Sequence, residues 1–246
     1  MRVTRDFLRG RGRERMTAAE KDALDAAVDR VETLPARTIL INRGQRVRYS
    51  TLLLDGTMCR YMDARDGYRQ LVALQVPGDF VDLHGYPLEM LDHDVATLSE
   101  ARVAVIPHAR LDALTRDMPH LARLLWRSTL LDAALHREWI FRLGRLDAAG
   151  RVAHFLMETY RRLDAVGRTR DGEFALPLTQ QDLGEACGLT SVHVNRTLRR
   201  LREDGLAEVA RGTVRILDAA ALSRVAEFEP EYLYLEDSAW ARDAAE

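Results

Sequence analysis

A cluster of basic side chains marks the segment LTSVHVNRTLRRLREDGL, residues 189–206, where four arginines and one histidine surround an apolar stripe. Arginine can donate paired hydrogen bonds to guanine or bind phosphate oxygens, and asparagine can pair with adenine. The formal net charge of the whole chain is −2, yet residues 191–215 hold six arginines against three acidic residues. Because positive charge is concentrated in one segment, the sequence predicts a surface that contacts nucleic acid.

Residues 178–206 are predicted to form two helices joined by a short turn. Thr179 followed by Asp182 predicts a capping box at the start of the first helix, and Gly188 fits the left-handed residue that ends it. Thr190 can cap the second helix. Three apolar residues then form the buried stripe of that helix: Val194, Leu198 and Leu201. This arrangement is typical of a helix-turn-helix, and the hairpin pattern AEVARGTVRIL around Arg211-Gly212 adds a wing.

The opposite face of the second helix carries the side chains that could read DNA. Val192, Asn195 and Arg196 lie near its N-terminus, where they could contact a thymine methyl group, adenine and guanine. The side chains expected to meet phosphates are Thr179, Gln180, Thr190, His193, Arg199 and Arg200. The alternative is an arginine-rich solvated face in a chain with one lysine. That alternative leaves the caps, the glycine turn and the wing unexplained.

The rest of the chain predicts an α+β protein with segregated domains. Short apolar runs between Thr38 and Ile106, separated by glycine-bearing turns, indicate a β-roll. We therefore assign residues 1–108 to a β-roll domain with an N-terminal helix and residues 109–146 to a long helix and hinge. Residues 147–225 form the winged helix-turn-helix domain, and residues 226–246 form an acidic C-terminal tail.

The long helix has apolar residues at alternating steps of three and four. This spacing predicts a coiled coil between two copies of the chain, although packing of the helix on its own β-roll stays open. The predicted interface residues are Leu121, Leu124, Ser128, Leu131, Leu135 and Trp139.

Composition excludes several classes of protein. With 47% hydrophobic and 30% charged residues, the chain fits a globular protein, and it lacks an apolar run of the roughly 18 residues that span a bilayer. The N-terminus has no apolar signal-peptide stretch, so we expect a cytoplasmic protein without membrane contact. Cys59 and Cys187 are the two cysteines and predict neither a disulfide framework nor a metal site. We expect Cys187 to be a small core residue rather than a redox switch.

Three segments make the sequence similar to one family. LTQQDLGEACGLTSVHVNRTLRRLREDGLAEV resembles the winged helix-turn-helix of the cyclic-AMP receptor protein / fumarate–nitrate regulator (Crp/Fnr) family, LGRLDAAGRVAHFL its hinge, and VPGDFVDL its cyclic-nucleotide-binding-like β-roll. The resemblance covers roughly residues 35–220. It implies a homodimeric transcription regulator that binds a DNA operator and RNA polymerase, responds to a small-molecule effector, and switches by a hinge near residues 143–147.

The family's base-reading positions fall on Ser191, Val192, Asn195 and Arg196 of this sequence. Arg196 matches the arginine common to the family. Val192 stands where both named members have a glutamate that reads cytosine, and His193 and Asn195 also differ from them. The resemblance therefore implies a different half-site.

The sensor region departs further from the family. The Gly-Glu pair that holds the ribose in cyclic-nucleotide binders is Asp82-Leu83 here, and the Arg-Ser pair for the phosphate has no counterpart, since residues 70–101 contain neither arginine nor lysine. His136-Arg137 replaces the Thr-Ser pair offered to adenine. A buried cyclic phosphate without a cation is costly, so we expect a signal other than cyclic AMP. The candidate effector pocket comprises Asp82, Leu83, His84, His93, His136 and Arg137.

No cofactor is predicted. Two distant cysteines cannot supply the four thiolates of the family's oxygen-sensing iron–sulfur cluster. His84, His93 or His136 could bind haem, and His84 with His93 could bind a divalent metal, but isolated histidines are more typical of surface or core positions. Two other classes of function stay open: a ligand-binding module with a vestigial DNA domain, and an enzyme using the acids and histidines of HGYPLEMLDHD. No nucleophile–base spacing or phosphate-cradling glycine loop supports the enzyme.

Overall fold

The computed structural model describes residues 2–236. It divides the chain into two compact units, one comprising Met1–Met62 with Leu74–Ala133 and the other Asp63–Ala73 with Ala134–Glu246. Within the described residues, none of the helices combines the length and apolar character needed to cross a bilayer.

The N-terminal part of the chain forms the predicted β-roll. Its strands are β1 (Arg30–Leu34), β2 (Ile39–Ile41), β3 (Tyr49–Asp55), β4 (Met58–Asp63), β5 (Arg69–Gln75), β6 (Asp94–Thr97) and β7 (Ala101–Pro107). One sheet has the order β1-β7-β3 and the other β2-β6-β4-β5. The helices are a 3₁₀ turn at Arg13–Arg15, α1 (Ala18–Ala26), α2 (Gly85–Leu88) and α3 (His108–Asp117). Alternating apolar strand residues such as Leu53, Val95 and Val103 are buried in its core.

Residues 2–16 form turns, including the 3₁₀ turn at Arg13–Arg15, and they pack within this unit. Phe7, Leu8 and Met16 are buried, and the Phe7 ring meets the edge of Phe80 at 5.3 Å between centroids. Gly78 in the same loop as Phe80 has a φ of +96°, and a Cβ there would lie 2.3 Å from the Asp6 carbonyl oxygen. Only glycine fits so close an approach.

The long helix α4 spans Pro119–Arg145 and is followed by α5, Ala148–Ala165. The predicted seam of α4 faces the chain's own core: Leu121, Leu124, Leu131, Leu135 and Trp139 are buried, and the half-buried Ser128 donates its hydroxyl to the Leu125 carbonyl at 2.7 Å. This contradicts their assignment as interface residues, because side chains already packed inside one chain are not free to meet a second copy. The open alternative, packing of the helix within its own chain, describes this face.

The C-terminal part of the chain has the elements of a winged helix-turn-helix. They are β8 (Thr169–Arg170), β9 (Glu173–Ala175), α6 (Gln180–Cys187), α7 (Ser191–Glu203), β10 (Ala207–Ala210), β11 (Thr213–Ile216) and α8 (Ala219–Ala226). The sheet order is β10-β11-β9-β8. Arg211 and Gly212 both have positive φ between β10 and β11, so the predicted wing hairpin is confirmed.

Residues 226–236, the first part of the predicted acidic tail, contain regular structure and buried side chains. A 3₁₀ turn at Pro230–Leu233 follows α8, Leu233 and Leu235 are buried, and the Tyr232 hydroxyl donates to Glu158 of α5 at 2.9 Å. Apolar residues interleaved with the acids therefore anchor this segment. Residues 237–246 lie outside the described residues.

Candidate nucleic-acid interface

The turn between α6 and α7 has the geometry that its sequence predicts. The Thr179 hydroxyl accepts the Asp182 amide at 3.1 Å while the Asp182 carboxylate accepts the Thr179 amide at 2.7 Å. Gly188 ends α6 with φ 63° and ψ 42°, and the Thr190 hydroxyl accepts the His193 amide at the start of α7. These contacts confirm the predicted caps. The caps were predictable because each depends on residues within one turn of one another.

The two helices approach closely at Gly184. A Cβ on Gly184 would lie 2.5 Å from the carbonyl oxygen of Leu189, and the Leu189 amide donates to the Gly184 carbonyl at 2.9 Å. Any larger residue would push the turn away from α6. The glycine therefore fixes the angle at which α7 leaves the turn.

The candidate base-reading side chains share one exposed face of α7. Ser191, Val192, Asn195 and Arg196 are all exposed, and Val192 keeps 77% of its surface accessible. The buried stripe consists of Val194, Thr197 and Leu201, with Leu198 half-buried. Within residues 2–236 Arg196 makes no recorded hydrogen bond or ion pair, so its guanidinium can bind a ligand without breaking a contact. An exposed valine beside an unpaired arginine is unusual for a side of the helix that packs on a core. Both side chains are suited to contact base edges in a DNA groove.

The candidate phosphate residues are also exposed, but several are already engaged. Each arginine among them forms an ion pair with an acidic residue one helical turn further on. Arg199 Nε lies 4.0 Å from Glu203 Oε1, and Arg200 Nε lies 3.5 Å from Asp204 Oδ2. Such exposed pairs are weak and exchange readily for phosphate. The Thr179 hydroxyl donates to Asp182 and the Thr190 hydroxyl serves as a cap, whereas the exposed side chains of Gln180 and His193 have no polar partner among residues 2–236.

Among the predicted effector residues, the first unit brings together His84 and His93, whose ring centroids lie 5.1 Å apart. Burial, followed by the charge of Arg60, lowers the pKa of His84 to about 3 and also lowers the pKa of His93, so both rings are neutral at pH 7. Leu83 belongs to the hydrophobic core. His136 and Arg137 lie on the part of α4 that belongs to the second unit.

Asp82 is buried and accepts the Thr51 amide at 2.6 Å through Oδ1. Burial raises its pKa to about 7, against the lowering effects of the Thr51 hydrogen bonds and of Arg60. A carboxyl group held in this way takes up a proton near neutral pH.

Arg60 is a buried cation that the sequence argument missed, because it lies on β4 outside residues 70–101. Its Nε donates to the Val81 carbonyl at 2.7 Å, one terminal nitrogen donates to the Phe80 carbonyl at 3.3 Å, and the other pairs with Asp132 of α4. All three guanidinium nitrogens are thus engaged by the protein. A basic residue in the middle of the apolar strand MCRYM was the available signal.

The described residues contain no group of three or more histidine, cysteine or acidic side chains that could hold a metal ion. Cys59 on β4 and Cys187 on α6 are both buried and form no disulfide with each other, and burial raises the pKa of Cys187 to about 11. The donor set does not fit a four-cysteine cluster, because the whole sequence holds two cysteines.

Comparison with known proteins agrees with this geometry. Residues 150–225 match the model of the Crp-like helix-turn-helix domain. The chain is 28% identical over 207 residues to the transcriptional activator protein FnrA of Stutzerimonas stutzeri, with 84% of each chain covered. It is 30% identical over 169 residues to the transcriptional activator protein FnrL of Cereibacter sphaeroides, with 66% of each covered.

The fold has a counterpart among solved structures. FixK2 from Bradyrhizobium japonicum superposes with a TM-score of 0.73 at 24% identity, covering 80% of this chain and 96% of that one. With the helix-turn-helix geometry, the matching domain and these relatives together, the chain belongs to the Crp/Fnr family of transcription regulators with a helix-turn-helix DNA-binding domain.

Proposed function

We propose that the protein is a homodimeric regulator that binds a near-palindromic operator in double-stranded DNA through the exposed face of α7. The observation that carries this proposal is the row Val192, Asn195 and Arg196, which is exposed on the N-terminal half of α7 while the other face of the helix is buried. Ser191 completes the row. Residues at this end of a recognition helix contact base edges in the major groove.

The side chains of this row favour a DNA half-site that differs from those of the two named members of the family. Arg196 can donate two hydrogen bonds to guanine, Asn195 can pair with adenine, and Val192 offers an apolar contact to a thymine methyl group. The flanking residues Gln180, Arg199 and Arg200 position the helix on phosphates without reading sequence.

A random-oligonucleotide selection with the full chain tests this proposal. We expect one enriched near-palindromic site, whose affinity falls on Arg196→Ala by about 1–3 kcal/mol with relaxed preference at one base pair. Arg224→Ala, at an exposed arginine of α8, removes the same charge and should leave site preference unchanged. The absence of any enriched site would favour a sensor whose DNA domain is vestigial.

The dimer interface is proposed on a different face of α4 from the one the sequence predicted. Trp126, Leu130 and Ile140 are 63%, 53% and 73% exposed on α4, and with Ala133 they follow the spacing of a heptad seam. Large apolar side chains in such a row are unusual on a monomer surface and match the same row on a second copy.

Sedimentation at micromolar concentration tests the dimer. Leu130→Arg places a charge in the proposed seam and should shift the chain from dimer to monomer, whereas Arg123→Ala, at an exposed position of the same helix, should not. A monomeric parent chain, or a dimer unchanged by Leu130→Arg, would contradict this interface.

The signal is proposed to act on the β-roll and to be something other than cyclic AMP. The support is that every guanidinium nitrogen of Arg60 already donates to a carbonyl or to Asp132, so a cyclic phosphate would have to compete with these acceptors. Millimolar cyclic AMP should therefore leave the melting temperature unchanged, and a shift of several degrees would overturn this. We further propose, from the family, that the protein contacts RNA polymerase in the cytoplasm and works as a regulator without catalysis, cluster or haem.

A further inference from the structure

The carbonyl end of α6 is held by side chains from three other elements. A helix leaves its last four carbonyl groups without intrahelical donors. In α6 the Gly184 carbonyl is satisfied by the Gly188 and Leu189 amides. The next three carbonyls, those of Glu185, Ala186 and Cys187, accept side-chain donors instead.

Each donor comes from a different segment of the second unit. Gln70 of β5 donates through Nε2 to the Glu185 carbonyl at 2.5 Å. Arg142 of α4 donates to the Ala186 carbonyl at 3.0 Å, and Arg151 of α5 donates to the Cys187 carbonyl at 3.5 Å. Consecutive carbonyls therefore tie α6 to the β4–β5 hairpin, to α4 and to α5. We call this set of three donors the α6 clamp.

Arg142 is the most deeply buried member of the α6 clamp. It is fully buried, and its guanidinium lies 4.1 Å from the Trp139 ring and 5.5 Å from the Phe155 ring. Within residues 2–236, its Nε and Nη1 have no hydrogen-bond partner, so the Ala186 carbonyl is its recorded acceptor. A buried arginine directed at a single carbonyl is expensive for stability alone, which points to a role in orientation.

Arg151 extends the α6 clamp to the junction of α4 and α5. Its Nε donates to the Leu146 carbonyl at 2.8 Å, between the end of α4 and the start of α5. The same side chain thus contacts this junction and the end of α6. Because α7 begins four residues after Cys187 and is locked to α6 at Gly184, any tilt of α6 also tilts α7.

We propose that Gln70, Arg142 and Arg151 are positioning residues for DNA recognition, which set the orientation of α6 and α7 relative to α4. In a dimer joined along α4, this orientation determines the separation of the two recognition helices and hence the spacing of the half-sites. The inference rests on the proposed homodimeric function. Its distinctive consequence is that damage to the α6 clamp relaxes the spacing preference and leaves base preference unchanged.

Fluorescence anisotropy with the full chain tests this on the selected operator and on versions with one or two base pairs added to or removed from the spacer. Gln70→Glu keeps the shape of the side chain but directs an acceptor at the Glu185 carbonyl. It should weaken binding to the best spacer about tenfold, because the contact with the Glu185 carbonyl is lost in both protomers, while the altered spacers lose little. Base preference within the half-site should stay as in the parent chain.

Two further variants serve as controls. Arg65→Gln makes the same change of charge at an exposed position of the same hairpin and should keep the sharp spacing preference. Gln70→Lys keeps a nitrogen donor and should restore most of the affinity lost in Gln70→Glu.

The outcomes separate the two proposals. A parent chain that selects no operator would refute the proposed function. A parent with a sharp spacing preference that Gln70→Glu retains, or a Gln70→Lys chain as relaxed as Gln70→Glu, would overturn the positioning role.

Discussion

Two buried arginines make contacts that involve α4, one within each unit of the molecule, and their surroundings differ. Arg60 of the first unit approaches α4 from β4 and uses all three nitrogens, on two backbone carbonyls and the Asp132 carboxylate. Arg142 of the second unit belongs to α4 itself and donates to one carbonyl, that of Ala186. It stacks on an aromatic ring and leaves two nitrogens without a partner in the described residues.

The charge around Arg142 is balanced through Glu158 rather than through a direct pair. Burial alone would raise the pKa of Glu158, but Arg162, Arg142 and His154 together hold it below its usual value. The Glu158 carboxylate also accepts Trp139 Nε1 at 3.0 Å and the Tyr232 hydroxyl at 2.9 Å. Arg142 is therefore one of several cations and donors near Glu158. If the contact of Arg142 with α6 changes, Glu158 retains Arg162, Trp139 and Tyr232.

These two environments indicate which contacts of the regulator can change between conformations. A buried cation whose three nitrogens all have acceptors has one arrangement of low free energy, since every displacement leaves a carbonyl or carboxylate unpaired. A cation that meets one carbonyl and an aromatic face loses less when its neighbour moves. We infer that the contacts of Arg60 are a fixed part of the first unit, whereas the contact of Arg142 with α6 is the one suited to switching.

Replacing each arginine with methionine, which fills similar space without charge, tests whether the two arginines contribute differently to stability. Arg60→Met leaves Asp132 and two carbonyls without their donor and should lower the free energy of unfolding by about 3–5 kcal/mol. Arg142→Met leaves one carbonyl unpaired while Glu158 keeps Arg162, Trp139 and Tyr232, so about 2 kcal/mol is expected. Urea denaturation followed by circular dichroism measures both.

Arg48→Met, at an exposed arginine of the first unit, is the matched control and should change stability little. Equal losses for Arg60→Met and Arg142→Met would show that the two arginines are equivalent, and the contrast between fixed and adjustable contacts would fail.

The two regions also differ in what could be predicted from the sequence. The caps Thr179, Gly188 and Thr190 were predictable because helix ends are encoded within a few residues. Arg142 was detectable in principle, since it occupies a position of the apolar stripe between Trp139 and Leu146. Its acceptor was not, because the Ala186 carbonyl is 44 residues away and backbone groups leave no mark in the sequence.

The seam of α4 shows the opposite limit. Leu121, Leu124 and Leu131 have the period of a coiled coil, but periodicity identifies a buried face and not the partner that buries it. The partner includes Phe7 and Met16, which lie among turns near the N-terminus. The exposed row with Trp126 and Leu130 follows the same period on another face, so only the structure separates the two.

A smaller effect concerns Asp82, which follows Phe80 and Val81 in the chain. Burial raises the pKa of its carboxyl group from the ordinary value of 3.8 to about 7. A raised pKa means that the folded state favours the protonated carboxyl, so its stabilising contribution is complete below pH 3.8 and is lost as the pH rises through 7. His84 and His93, with lowered pKa values, act in the opposite direction, losing their contribution as the pH falls below about 6.5. Because the two contributions have opposite signs, the pH dependence of the parent chain's stability does not show either one separately.

Asp82→Asn isolates the carboxyl group, because the histidine contributions cancel when parent and variant are compared at each pH. The amide keeps an oxygen to accept the Thr51 amide but cannot ionise. We expect the variant to gain stability relative to the parent as the pH rises from 5 to 8, by at most about 1.4 kcal/mol per pH unit. Urea denaturation at each pH measures the difference, with the exposed Asp66→Asn as control for removal of a carboxylate. A difference that stays constant over this range would mean that Asp82 is ionised throughout, and that Arg60 rather than burial determines its charge.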